Sequence, residues 1–158
     1  MVKSNPGSDS DANERFEAAV TIRKGGSPPM PIRILLVEDN QTFALAVRLF
    51  LQNVPETEVI AQAGTGREAL VMAERLQPDV ALLDISLPGI SGLEVAREMR
   101  TWARSPLIIF LSMHDGASYR ATAQELGAIG FVSKTHFVSE LLPILDDIIA
   151  QRDVVAPV

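Results

Sequence analysis

The sequence predicts an α/β fold: an open, doubly wound parallel sheet of five strands, covered by helices on both faces. Three observations carry this expectation. Five short apolar runs alternate with amphipathic stretches along most of the chain. The stronger runs are continuous rather than alternating, as strands buried on both faces require. Two of the intervening helices open on capping boxes, which mark where they start.

The elements follow in order. IRILLV (32–37) is the first strand, and an amphipathic helix with Phe43, Val47, Phe50 and Leu51 on its apolar side comes next. That helix stops before Val54-Pro55, because the residue preceding a proline is pushed out of helical dihedrals. EVIAQA (58–63) is the second strand and the weakest. Thr65-Gly-Arg-Glu68 opens the second helix as a capping box, and Pro78 bounds its end. DVALLD (79–84) is the third strand, and a Pro-Gly loop follows it. Ser91-Gly-Leu-Glu94 opens the third helix, which is expected to reach about Ala103. PLIIFLS (106–112) is the fourth strand, with a fourth helix near 116–126. IGFVS (129–133) is the fifth strand. The last helix is expected over roughly 140–152, with Ser139 as N-cap and Pro143 in its first turn, where a missing N–H is tolerated.

Composition narrows the function classes. Of 158 residues, 47% are apolar and 22% charged, as in an ordinary soluble globular domain. The absence of cysteine excludes disulfides, thiolate metal sites and cysteine nucleophiles, and fits a reducing cytoplasm. The N-terminal MVKSNPGSDSDANERFEAAV lacks the apolar core of a signal peptide. The longest uncharged run of the body, Ser105 to His114, is far short of the roughly 18 residues that suggest a membrane span. A cytoplasmic protein without a membrane segment is expected.

Residues 1–31, rich in Gly, Ser, Pro, Asn and Asp, read as a disordered arm. Residues 32–152 form the domain, and 153–158 a tail. The arm carries four basic and four acidic groups, while residues 32–158 carry ten basic and sixteen acidic, which accounts for the net charge of −6. An acidic body without a basic cluster is poorly suited to gripping a phosphate backbone, so no direct nucleic-acid binding is expected. Nine of the ten cations are arginines, and Lys134 is the one lysine of the body.

In doubly wound sheets, ligands gather at the carboxyl ends of the strands, near the switch in strand order. Strand one runs into Glu38-Asp39, strand three ends in Asp84, strand four in Ser112, and strand five hands over from Ser133 to Lys134. Three carboxylates, a hydroxyl and an ammonium should therefore meet on one edge. Crowded carboxylates repel and raise one another's pKa unless a cation sits among them. All-oxygen ligands suit a hard cation, and a site that awaits phosphate suits Mg²⁺. Lys134 supplies a second, movable positive charge, and Ser112 a hydroxyl donor. Asp84 is the natural nucleophile, since an ionised carboxylate has no proton to lose before attacking phosphorus. Taken singly, each residue has a plainer reading as a solvated loop acid, a cap, a backbone-bonded hydroxyl or a surface charge. The coincidence at four strand ends carries the argument.

The motifs VEDN (37–40), LLDISLPGISGLE (82–94), LSMHD (111–115) and GFVSK (130–134) resemble those of two-component response-regulator receiver domains, over about residues 32–152. LSMHD with GFVSK is most similar to the NarL/LuxR-type subgroup. The resemblance implies a flavodoxin-like sheet with strand order 2-1-3-4-5. It implies that Asp84 accepts a phosphoryl group from the phosphohistidine of a sensor histidine kinase or phosphotransfer protein. Asp39, Asp84 and the Ser86 backbone carbonyl would bind Mg²⁺, with Glu38 acting mostly through water. Ser112 and Lys134 would sense the phosphoryl group, and Phe131 would turn inward afterwards. The face of the fourth helix, fifth strand and fifth helix would be the output surface and a possible homodimer contact. Such a domain is not a classical enzyme; it catalyses its own phosphotransfer and dephosphorylation.

The sequence departs from the family pattern in places. Glu-Asp stands where Asp-Asp is usual, and both are oxygen ligands. Thr135 follows Lys134 where proline is common, which puts the usual cis peptide in question. Met113 is bulkier than the small residue often found there. His114 reads as an incidental loop histidine, and Trp102 and Tyr119 as packing residues. No helix-turn-helix fits after Arg152, so the expectation is a single-domain regulator or the receiver of a transcription factor.

Two rival readings remain. Gly64-Thr-Gly66-Arg-Glu-Ala69 fits the G-x-G-x-x-A of a dinucleotide-binding loop, with Asp84 twenty residues after Gly64. That reading leaves Glu38, Asp39, Ser112 and Lys134 without roles. The other keeps the fold as an interaction module that is never phosphorylated, which the intact acidic trio and lysine oppose.

Overall fold

The structure, a computed structural model, describes residues 30–113 and 117–155. Nearly all of the expected disordered arm, together with His114 and residues 156–158 of the tail, lies outside the described residues. The chain divides between Met30 and Pro31, and every element below belongs to the unit Pro31–Val158.

Along the chain, β1 (Ile32–Val37) leads to α1 (Gln41–Gln52), β2 (Thr57–Ala63) to α2 (Gly66–Leu76), and β3 (Val80–Asp84) to α3 (Gly92–Arg100). Then β4 (Leu107–Ser112) leads to α4 (Ala117–Glu125), and β5 (Gly130–Ser133) passes through a 3₁₀ turn (Lys134–His136) into α5 (Phe137–Val155). The strands form one all-parallel sheet in the order β2-β1-β3-β4-β5, as expected. The chain winds outward from β1 to β2, then crosses back to β3 and continues the other way. The switch therefore lies between the carboxyl ends of β1 and β3, where such sheets open a crevice.

Alternate residues of each strand feed two separate cores. Leu35, Val37, Leu83 and Phe110 pack on one face with Val95 and Met99 of α3. Ile34, Leu36, Leu82, Ile109 and Val132 pack on the other with Val47 of α1 and Leu141 of α5. Because both faces are covered, the strands read as unbroken apolar runs. Each such side chain contributes roughly 1.5–3 kcal/mol on burial. The β2 strand lies at the edge and is only partly buried, which accounts for its weak sequence signal.

The helices at Gly66 and Gly92 start where their caps predict, and Asn40 caps the first helix as well. Asn40 Oδ1, Thr65 Oγ1 and Ser91 Oγ accept the N–H groups of Phe43, Glu68 and Glu94 at 2.9, 3.2 and 3.3 Å. Glu68 Oε2 in turn accepts the N–H of Gly64, the residue before the cap, at 3.3 Å. A Cβ on Gly66 would meet Ile90 and Val95 side-chain carbons at 2.5 and 2.7 Å, and Ala69 is buried in the core. Packing thus accounts for Gly66 and Ala69 without a dinucleotide, while nothing in the packing requires a glycine at Gly64.

Two helix ends differ from expectation. The α3 helix stops at Arg100 rather than near Ala103, and Trp102 packs half-buried beyond it. The α5 helix begins at Phe137, so Ser139 is not its N-cap and Pro143 lies in its interior. The 3₁₀ turn already bends the chain into helical dihedrals, and Ser133 Oγ caps that turn by accepting the Thr135 N–H at 3.3 Å. An interior proline costs about 3 kcal/mol locally. The fully buried Leu141 and Leu145 anchor the helix on either side of it, while Pro143 itself faces solvent. No peptide bond among the described residues is cis, including the one between Lys134 and Thr135. Among the described residues, no helix is long and apolar enough to cross a membrane.

Gly92 ties the fold to the strand end that carries Asp84. Its N–H donates to the Ile85 carbonyl at 2.9 Å, and a Cβ there would collide with the Asp84 backbone carbonyl. Around Gly64 the same added carbon meets nothing within 4 Å. Urea denaturation should therefore show Gly92→Ala destabilised by about 2 kcal/mol and Gly64→Ala changed by less than about 0.5 kcal/mol. Equal losses would contradict this packing.

Candidate functional site

Each site residue sits where a strand runs out. Glu38 follows β1, and its N–H donates to the Ala63 carbonyl of β2 at 2.9 Å. Its side chain is 0% exposed and lies under the start of α1, where Oε1 accepts the Asn40 N–H at 3.1 Å. Asp39, next in the chain, is exposed. Asp84 closes β3 at 2% exposure, and its Oδ1 accepts the Ser86 N–H at 3.1 Å. Ser112 closes β4 opposite Ser133 of β5, one residue beyond the Leu111 that pairs with Asp84.

The parallel register brings these ends together. Lys134 Nζ lies 3.0 and 2.8 Å from the two Glu38 carboxylate oxygens and 3.1 Å from Asp84 Oδ2, with its side chain only 10% exposed. Carboxylate oxygens of Glu38, Asp39 and Asp84 all fall within 4.8 Å of one another. The structure therefore gathers Glu38, Asp39, Asp84 and Lys134 in one pocket, with buried Ser112 on the neighbouring strand. Ser86 and Met113 stand exposed at the rim. Phe131 is half-buried, packed on the α3-side core with the Arg120 guanidinium 4.7 Å from its ring centre.

Charge in the pocket does not balance. Burial pushes the Glu38 carboxyl above its ordinary range; the Lys134 hydrogen bond opposes this, and the charge of Asp84 adds to it. Burial likewise raises Asp84, with Lys134 opposing and Asp39 adding. For Lys134, burial favours loss of the proton, but the Glu38 hydrogen bond and the Asp84 charge outweigh it, so its pKa is raised. Burial is thus the main reason both carboxyls are raised, repulsion between neighbouring carboxylates adds to it, and the single ammonium that Glu38 and Asp84 share does not offset it.

This donor set fits a hard divalent cation. The ligands are all oxygens, the surplus charge is negative, and the buried Glu38 Oε2 takes no well-directed hydrogen bond although the ammonium lies beside it. The carboxylate-rich site was legible in the sequence. The Phe43 ring face, 5.0 Å from Lys134 Nζ, was not. That residue read only as part of an apolar helix face, and no local pattern signals the contact.

Fold and site together define a flavodoxin-like doubly wound domain with an acidic pocket at the switch in strand order. Within that class, the chain belongs to the response regulator receiver domain family, whose profile matches residues 34–146. It is 37% identical over 106 residues to a protein-glutamate methylesterase/protein-glutamine glutaminase of Shewanella frigidimarina, covering 66% of this chain and 27% of that protein. It is 34% identical over 103 residues to the transcriptional regulatory protein DegU of Brevibacillus brevis, covering 65% and 44%. A crystal structure of a LuxR-family two-component response regulator from Aurantimonas superposes with a TM-score of 0.71 at 31% identity, covering 77% of this chain and 86% of that one. The chain thus spans between about a quarter and about half the length of the curated relatives it matches.

The raised carboxylates set a pH dependence. Glu38 and Asp84, raised from 4.5 and 3.8, bind protons more tightly folded than unfolded. Their contribution to stability is therefore complete below those ordinary values and lost as pH rises through the folded ones. In EDTA, Asp84→Asn should be more stable than wild type at pH 7, and the two should converge near pH 4. Lys134→Met should lose about 3 kcal/mol at pH 7, because it strands buried carboxylates. Chemical denaturation across pH checks both; a wild type more stable than Asp84→Asn at neutral pH would contradict the charge imbalance.

Proposed function

We propose that the chain is a phosphorylation-controlled signalling switch in which Asp84 takes a phosphoryl group from the phosphohistidine of a partner histidine kinase or phosphotransfer protein. The observation that carries this reading is the Lys134 ammonium within 3.1 Å of both Glu38 and Asp84, among three converging carboxylates.

An ionised Asp84 oxygen forms the new bond to phosphorus while the bond to the donor's imidazole nitrogen breaks; that nitrogen keeps the electron pair. Asp39, Asp84 and the Ser86 backbone carbonyl, with Glu38 mostly through water, would hold Mg²⁺, which when bound supplies neutralising charge to the phosphoryl oxygens. Lys134 exchanges its Asp84 contact for a phosphoryl oxygen, and the Ser112 hydroxyl donates to another. Those shifts favour an inward Phe131, away from its contact with Arg120, and the change reaches the α4–β5–α5 face as a population shift.

Its elements carry exposed apolar side chains, Tyr119 on α4, Ile129 just before β5, and Val138 and Leu142 on α5, which suit a protein partner or a second copy of the chain. An acidic body supports signalling through protein contacts rather than direct nucleic-acid binding. A cytoplasmic setting, where a kinase domain is reached by diffusion, belongs to the same proposal.

With acetyl phosphate and Mg²⁺, intact mass spectrometry should show wild type gaining one phosphoryl group and Asp84→Asn gaining none. Lys134→Arg should label at least about tenfold more slowly, since a planar guanidinium cannot stand in for a compact ammonium. Equal labelling of wild type and Asp84→Asn would rule out Asp84 as nucleophile. Separately, Mg²⁺ at a hundredfold its Kd should stabilise the fold by about 2.7 kcal/mol at pH 8. The gain should fade as pH falls into the raised range of Glu38 and Asp84, where protons compete for the same oxygens. A Mg²⁺ effect that survives Asp39→Asn unchanged would place the cation elsewhere.

A further inference from the structure

The Lys134 ammonium has a fourth close partner besides the oxygens of Glu38 and Asp84. The Phe43 ring on α1 stands with its centre 5.0 Å from Nζ. That ring is itself held edge-to-face: Phe137, at the start of α5, lies 5.3 Å from it at 76°, and Phe50 lies 5.8 Å from Phe137 at 89°. Three aromatic rings from α1 and α5 thus form a fixed support beside a lysine whose side chain is almost removed from water.

The two kinds of partner respond differently to activation. Under the proposed function, Asp84 becomes an acyl phosphate, so the ammonium exchanges that contact for a phosphoryl oxygen, while the charge of Glu38 would be shared with a bound cation. The ring face carries a permanent negative quadrupole that neither protons, metal nor phosphoryl group consumes. Its contact with the ammonium is the same before and after transfer.

We propose that Phe43 is a positioning residue: its ring face holds the Lys134 ammonium at the pocket while the Asp84 contact is exchanged for a phosphoryl oxygen. This rests on the function proposed above, and two readouts separate the failure of one from the failure of the other.

The first reads the contact alone. The chain has three lysines, Lys3, Lys24 and Lys134, so lysine labelled with ¹³C at the ε-carbon gives few signals, and Lys134→Arg assigns the third. In metal-free protein the Lys134 ε-methylene protons should be shifted upfield by the ring, and the shift should collapse in Phe43→Leu. The second readout places mono-, di- and trifluorinated phenylalanines at position 43, which keep the ring's shape while draining its quadrupole. The rate of phosphoryl uptake from acetyl phosphate with Mg²⁺ should fall stepwise, by about fivefold across the series. An unshifted Lys134 in wild type would overturn the inference. So would a rate that drops in Phe43→Leu but stays flat across the fluorinated series, because Phe43 would then act through packing alone. A Lys134 signal with the expected shift in a protein that takes up no phosphoryl group would overturn the proposed function, and the positioning role with it.

Discussion

Two buried carboxylates share one half-buried ammonium, with a third carboxylate beside them, and the all-parallel sheet is what brings them together. Glu38, Asp84 and Lys134 come from the ends of three different strands, with Glu38 and Lys134 96 positions apart in the chain. Parallel β1, β3 and β5 deliver those ends to one edge of the sheet. The result is an electrostatically incomplete pocket: burial and mutual repulsion raise both buried carboxyls, and the one lysine does not fully offset them. A crowded all-oxygen site of this kind is one that a hard divalent cation would satisfy.

Rigidity around that pocket follows from the double covering of the sheet. All five residues of β3 are buried, so Asp84 sits at the tip of a strand with no freedom on either face. Directly behind it, Gly92 brings the N-terminus of α3 against the Asp84 carbonyl, a closeness no other residue permits. On the opposite side, Glu140 of α5 reaches back so that its Oε2 accepts the Ser133 N–H at 2.6 Å, steadying the backbone just before Lys134. The polar chemistry stands on apolar packing from both layers.

Much of this was legible in the sequence, for physical reasons. Strands covered on two faces must be continuously apolar, so β1, β3 and β4 stood out, and the polar residue ending each run was visible at once. Lys134 was conspicuous as the only lysine of an arginine-rich body. Caps at Thr65 and Ser91 were readable because they act within four residues. What escaped notice depends on contacts between distant segments. The start of α5 is set by a 3₁₀ turn and by burial of Leu141 and Leu145, not by the local serine that resembles a cap. Gly66 is small because Ile90 and Val95 press on it from α3 and the preceding loop, which a G-x-G pattern cannot reveal. Phe43 beside Lys134 and Arg120 beside Phe131 are likewise tertiary facts.

The central claim is that the surplus negative charge at the sheet's edge belongs to a cation. Anomalous scattering from crystals grown with Mn²⁺ reads this most directly. A single strong peak is expected within coordination distance of the Asp39 and Asp84 carboxylates, with Lys134 still contacting the pocket. A peak on another surface, or none at saturating Mn²⁺, would contradict it.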